Sequence, residues 1–251
     1  HMIELYHYLK SDFYKLRNSS FFWVHVLFPF LGVALVLLYA TFAAVNDINK
    51  IAVFFQLFAI AYPFVVSIVC EIIAGQENRA GHYQNILVLR SKTKAILSKF
   101  LLLIAAGLLA VLLSIFLFTL LLPATGTKLL LPTSSLVLPA LILWSSNILL
   151  YALSIILTFR FGRTVCIGMG AMGSLLAALL QTGLGTGLWF VLPYGFGIRL
   201  SDFALQFALQ DSTAVSAELK FGISMCAGMT VLFIVILFVW FLRYEGKCTN
   251  E

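Results

Sequence analysis

Charge is scarce in this chain. Asp, Glu, Lys and Arg make up 10% of its 251 residues, against roughly 25% in a soluble domain. With 62% hydrophobic residues and a mean hydropathy of +1.04, it cannot present water with a polar surface on all sides. The four cysteines, Cys70, Cys166, Cys226 and Cys248, are too scattered for a CxxC metal pair or a disulfide framework, and read as small apolar packing residues. Neither a GxxxxGK(S/T) phosphate loop nor an LSGGQ-like signature occurs, so any ATP must be bound and hydrolysed elsewhere. His7, His25 and His82 are not at metal-ligand spacing, so no metal site is expected. His1 reads as a tag remnant ahead of Met2, and nothing like a cleavable signal precedes the first apolar run.

What is abundant is long runs without charge. An ionised side chain is costly at the bilayer centre, so stretches free of Asp, Glu, Lys and Arg mark candidate spans. Six are long enough: residues 18–46, 51–70, 100–127, 129–159, 164–198 and 221–242. Each approaches or exceeds the roughly 20 residues that a hydrocarbon core of about 30 Å requires. Trimmed at polar and Pro-containing ends, they predict helices near 22–44, 51–73, 98–122, 138–159, 164–182 and 221–242. The polar groups within them, among them Gln56, Ser67, Ser114, Asn147 and Ser154, are neutral and suit helix–helix hydrogen bonds. Without carboxylates at depth, and without a convincing internal repeat, neither an intramembrane enzyme nor a proton- or sodium-coupled carrier is indicated.

Basic residues set the expected orientation, because they are retained on the cytoplasmic side. With the N-terminus inside, the cytoplasmic set is Lys10, Lys15, Arg17, Arg79, Arg90, Lys92, Lys94, Lys99, Arg160, Arg163, Arg243 and Lys247; the outer set is Lys50, Lys128, Arg199 and Lys220. Twelve against four places both termini in the cytoplasm. The net charge of +6 then reflects topology and anionic headgroups rather than nucleic acid.

Three segments are not simple spans. Residues 3–17 carry Ile3, Leu5, Tyr6, Leu9, Phe13 and Leu16 among charges, a spacing suited to a helix lying on the membrane surface, either as a plain anchor or as a mechanical part. The polar loop after the second span runs Glu71-Ile-Ile-Ala-Gly-Gln-Glu-Asn-Arg-Ala-Gly-His-Tyr-Gln-Asn-Ile-Leu, with Gly75 and Gly81 permitting turns. His82 to Leu89 predicts a short helix whose Ile86, Leu87 and Leu89 would anchor in a partner's groove; the alternative is a basic connector that only holds topology. From Gly183 to Lys220, Phe196, Leu200, Phe203 and Phe207 fall at helical spacing. They predict short helices dipping into or lying on the outer leaflet, as a substrate surface or as an aromatic belt. Gly-Met-Gly-Ala-Met-Gly at 168–173 matches the dinucleotide fingerprint literally, but it lies inside an apolar run and no acid follows before Asp202. Its small residues suit close helix packing.

This layout resembles the ABC-2 class of exporter permeases over nearly the whole chain. The wording from Glu71 through Glu77 to Tyr83-Gln84-Asn85-Ile86 is similar to that of the lantibiotic-immunity permeases. The resemblance implies an all-α polytopic fold, a single transmembrane domain over residues 1–251 of the bacterial cytoplasmic membrane. It comprises six membrane helices, an N-terminal amphipathic helix, a short cytoplasmic coupling helix, and outer interfacial helices between spans five and six. It also implies a segment that docks on a separate ATPase: Glu71, Glu77, Arg79, Gly81, His82, Tyr83, Gln84, Asn85, Ile86 and Leu87. The implied partners are an ATPase dimer holding the ATP and Mg, a second homologous permease chain or a second copy, and membrane lipid. The implied substrate is a cationic antimicrobial peptide taken from the outer leaflet. On that side Asp47, Trp189, Tyr194, Asp202 and Asp211 are candidate contacts, although exposed acids are commonly just solvated.

Overall fold

The computed structural model describes residues 2–17, 19–79, 81, 83–89, 91–128, 132–210 and 217–244, the side chains of 2, 3, 85, 87 and 210 excepted. His82, Arg90, Asp211, Lys247 and Cys248 lie outside the described residues. Among the described residues every regular element is helical: α1 (Met2–Arg17), α2 (Ser20–Phe42), α3 (Asp47–Arg79), α4 (Gln84–Leu87), α5 (Lys92–Leu121), α6 (Thr133–Ser146), α7 (Ile148–Phe161), α8 (Arg163–Gln181), α9 (Pro193–Gln210) and α10 (Ala217–Leu242), with short 3-10 turns at Leu122–Thr125 and Gly183–Gly185. Six helical segments are long and apolar enough to cross a membrane: Ser20–Phe42, Asp47–Arg79, Lys92–Thr125, Thr133–Phe161, Arg163–Gln181 and Ala217–Leu242. They are the six expected from the charge-free runs.

The ends follow local chemistry. Ser19 Oγ accepts from the Phe21 N–H at 3.2 Å to open α2, and Ser91 Oγ accepts from the Lys94 N–H at 3.4 Å to open α5, each satisfying one donor that a helix start leaves free. α3 extends farther than a bilayer requires. Its 33 residues span about 50 Å at 1.5 Å per residue, so Glu71–Arg79 continues the helix and Gly75 lies inside it, not at a turn. The turn falls at Gly81, whose φ of +149° disfavours a side chain. The fourth span is broken at Asn147 (φ −95°, ψ 0°) into α6 and α7, where one continuous helix was expected; the Asn147 amide donates to the Leu143 carbonyl at 2.7 Å across the break.

α3 is the central post, packed against α2, α7, α8 and α9. Its aromatic stripe includes Phe54, Phe55, Phe58 and Tyr62, all nearly inaccessible, and Phe54 stacks on Phe118 of α5 at 4.3 Å. Deeper in the bundle Tyr62 and Tyr151 share a hydrogen bond at 3.2 Å. α8 crosses α3 at Gly170, where a Cβ would sit 2.1 Å from Ser67 Oγ and 3.0 Å from the Pro63 carbonyl. The glycine fingerprint is thus a helix-packing device. Cys70, Cys166 and Cys226 are buried, their thiols directed at backbone carbonyls.

After α8 the chain does not stay at the surface. Tyr194 lies against Gly173 near the middle of α8, and Gly197 lies against the Asn147 side chain midway along the fourth span. α9 therefore begins at depth and runs along α6 and α8 as one 18-residue helix. Phe196 and Leu200 are buried in the bundle, Phe203 is half-buried and Phe207 is exposed.

Candidate functional site

The polar loop, α1 and the start of α5 meet at one end of the bundle, together with the end of α10. This end carries ten of the described basic residues: Lys10, Lys15, Arg17, Arg79, Lys92, Lys94, Lys99, Arg160, Arg163 and Arg243. α1 turns Asp12 and Leu16 inward, three and seven residues after Leu9, so Asp12 occupies a position on the apolar face. There it meets α5. Ser98 Oγ donates to Asp12 Oδ2 at 2.6 Å, and Lys99 Nζ lies 2.7 Å from Asp12 Oδ1. The same ammonium lies 2.7 Å from Glu77 Oε1 on α3, which Lys15 of α1 also reaches at 3.1 Å. Lys99, Glu77 and Asp12 are 5%, 2% and 6% exposed. Lys94 of α5 adds a pair with Glu4 at the rim.

One ammonium thus bridges carboxylates from two helices while belonging to a third. In a low-dielectric setting such a group is costly alone and strongly directional when paired, so the three helices are locked in register there. Beside the cluster is a cavity of about 320 Å³, lined by His7, Tyr8, Lys15, Ile86 and Leu89 among others. Glu77 Oε2 is buried with no hydrogen-bond partner among the described residues, and the cavity is roomy enough for water to reach it.

The loop beyond α3 is pinned to the same end. Tyr83 has a left-handed backbone (φ +68°), a conformation that costs a non-glycine residue of order 1–2 kcal/mol. Its ring, 5% exposed, packs on Phe159 of α7 at 5.1 Å and near Tyr244 at 6.4 Å. Burial pushes the Tyr83 hydroxyl pKa up, and the charge of Glu71 pushes the same way. Tyr244 is itself tied in, its hydroxyl donating to the Phe159 carbonyl at 3.1 Å and its carbonyl accepting from Lys92 at 3.0 Å. Arg163 approaches Glu71 at 3.9 Å.

The expected docking residues therefore divide. Glu77, Tyr83 and Ile86 are buried within the chain itself, so Ile86 is a core anchor and not an exposed one. Arg79, Gln84, Val88 and Leu89 face outward, Val88 at 84% exposure. His82 and the side chains of Asn85 and Leu87 are outside the described residues. Asp12, Ser98 and Lys99 were not singled out by sequence. The available signals were Asp12 on the apolar face of α1 and Lys99 set flush against the charge-free run from Phe100.

At the opposite end the candidate substrate contacts are occupied by their own chain. Asp47 accepts from the Lys128 N–H at 3.1 Å and lies 3.8 Å from Lys50, which donates to Thr127 at 3.1 Å. Trp189 is 1% exposed; its Nε1 donates to Glu218 at 2.6 Å and its ring covers Gly222, where a Cβ would be 2.0 Å away. Tyr194 fills the notch at Gly173, and Asp202 accepts from Gln206 at 2.9 Å. Burial pushes the Asp202 carboxyl above its usual range, with Gln206 and Arg199 acting the other way. Among the described residues no hydrogen bond, ion pair or ring contact joins Asp47 to Trp189, Tyr194 or Asp202, and no three His, Cys, Asp or Glu side chains group for a metal.

No curated protein and no solved structure matches this chain. A family signature described as ABC-2 family transporter protein matches residues 8–182, taking in most of the amphipathic helix, the ionic cluster, the polar loop and the first five spans. Six membrane-crossing helices and that match lead to one conclusion: the chain belongs to the ABC-2 family of transporter proteins.

Proposed function

We propose that this chain is the permease subunit of an ATP-driven exporter that protects a bacterium by expelling a lantibiotic-type peptide from its membrane. In this reading the basic end faces the cytoplasm, and a separate ATPase dimer docks beside α4 against the outward-facing Arg79, Gln84, Val88 and Leu89. Glu71, Glu77, Gly81, Tyr83 and Ile86 hold that segment on the bundle, with His82, Asn85 and Leu87 completing it. A second permease chain, homologous or identical, completes the transporter. The observation that carries the coupling role is the buried Asp12–Lys99–Glu77 cluster, because it joins α1, α3 and α5 beside the exposed face of the loop. A push on that loop would move these three helices together, the surface helix with the second and third spans, as rigid rods.

The test is co-expression with an ABC ATPase subunit from the same bacterium, purification in mild detergent, and hydrolysis assays with and without this chain. The reading expects a stable complex with altered hydrolysis, and cells lacking the chain that become sensitive to lantibiotics. An ATPase that neither binds nor responds would refute the coupling role. A second substrate reading, export of another amphiphile such as a lipid-linked compound, is favoured by the internal engagement of Asp47, Trp189 and Tyr194, which leaves few charged or aromatic contacts for a cationic peptide. Unchanged lantibiotic sensitivity with an intact complex would select it.

A further inference from the structure

α10 packs on α7, α9 and α5 and touches α6 more lightly, and along its first half it faces α6 and α9 across an apolar gap. The space between is a side-opening groove of about 720 Å³ lined by Leu138, Ile142, Phe203, Ile223, Ala227 and Val231 with their neighbours. A water-sized group takes about 30 Å³ of liquid volume, so the groove holds roughly twenty groups of methylene size. Its polar liners place no demand on an occupant. Ser145 and Ser146 donate to the Ile142 and Leu143 carbonyls at 3.3 and 3.1 Å, and Thr230 donates to the Cys226 carbonyl at 2.7 Å. The walls therefore fit hydrocarbon; α6 and α10 belong to segments long and apolar enough to cross a membrane, and α9 packs beside them. Lys220, exposed, stands in the first turn of α10 between the groove residues Leu219 and Ile223. Among the described residues it makes no ion pair, while the nearby Glu218 is held by Trp189.

From an apolar slot with an exposed cation beside it at the start of α10, we propose that this groove seats one acyl chain of an anionic membrane phospholipid, with the phosphate against Lys220. The occupant is a structural lipid of the transporter, independent of which compound is exported. Filling the gap between α10 and the α6–α9 pair, it would hold the last span in place.

Native mass spectrometry of the full chain, released from detergent after equilibration with an equimolar mixture of phosphatidylglycerol and phosphatidylcholine, tests this. The wild type is expected to retain one lipid, phosphatidylglycerol being preferred about three- to fivefold, the scale of an exposed ion pair. Ala227→Trp fills the slot from an exposed position and should abolish retention; Ile223→Trp serves the same purpose if that variant fails to fold. Lys220→Gln should keep a lipid and lose the preference. Undiminished retention in both slot variants would overturn the proposal. So would an unselective adduct in the wild type, or a slot variant that dissociates a dimer without losing lipid, which would give the groove to a second copy.

Discussion

Lys99 stands between two buried carboxylates on two other helices, so its removal does more than delete a bond. Lys99→Ala leaves Asp12 and Glu77 buried without their shared cation, and should cost about 3–5 kcal/mol. A drop in the thermal unfolding midpoint in micelles would report it. Neutralising the whole set together, with Asp12→Asn, Glu77→Gln and Lys99→Met, should recover most of that loss, because no charge is then stranded. If the triple variant is as unstable as Lys99→Ala, the ionic account of the joint is wrong. Gly170 makes a sharper case. Gly170→Val drives a side chain into Ser67 and the Pro63 carbonyl and should cost about 1–3 kcal/mol. Gly168→Val, in the same motif but facing open space, should stay within about 0.5 kcal/mol of wild type. Equal effects at both sites would contradict the close approach of α8 to α3. Trp189→Ala, which empties the cover over Gly222, should cost about 3–5 kcal/mol by the same thermal assay.

Elements differ in how openly the sequence declares them. The six spans were legible because the cost of a buried charge is written in runs of residues that carry none. The surface helix was legible from its period. The length of α3 beyond residue 73 was hidden, because Glu71, Gln76, Glu77 and Arg79 read as loop by polarity, yet they continue the helix, Gln76 and Glu77 pairing with α1 and α5 and Glu71 with α8. The break at Asn147 was equally hidden: one Asn inside an apolar run looks like any interhelical hydrogen-bonding group, and the break shows only where α9 presses Gly197 against it. The loop residues stood out by their polarity, but which of them the chain buries did not. Tyr83 and Ile86 look like docking anchors until Phe159 and Tyr244 are seen to pack on Tyr83, and Ile86 is found buried on the side of α1 and α5, a long-range fact that no local pattern carries. The α4 element should therefore respond in two ways. Val88→Ser with Leu89→Ser should leave the melting midpoint unchanged and lower ATPase co-purification at least severalfold, since exposed apolar anchors dominate such contacts. Tyr83→Ala should instead lower stability. If the serine pair unfolds the chain, the outward face has been misassigned.

At the scale of the molecule, one end is basic, pinned by buried ion pairs and bears the exposed face of α4; the other is closed by Trp189, Arg199 and Asp47 working on their own chain. That asymmetry is what an ATP-coupled permease requires: a stiff joint where force enters and a membrane-facing part that moves. The central claim is that the joint lies on the cytoplasmic side. It is tested most directly by placing a cysteine at the exposed Gln84, with Cys248 replaced by Ser, and treating intact cells with a membrane-impermeant maleimide. The account predicts no labelling until the membrane is opened. Full labelling from outside intact cells would put the joint on the wrong face and contradict it.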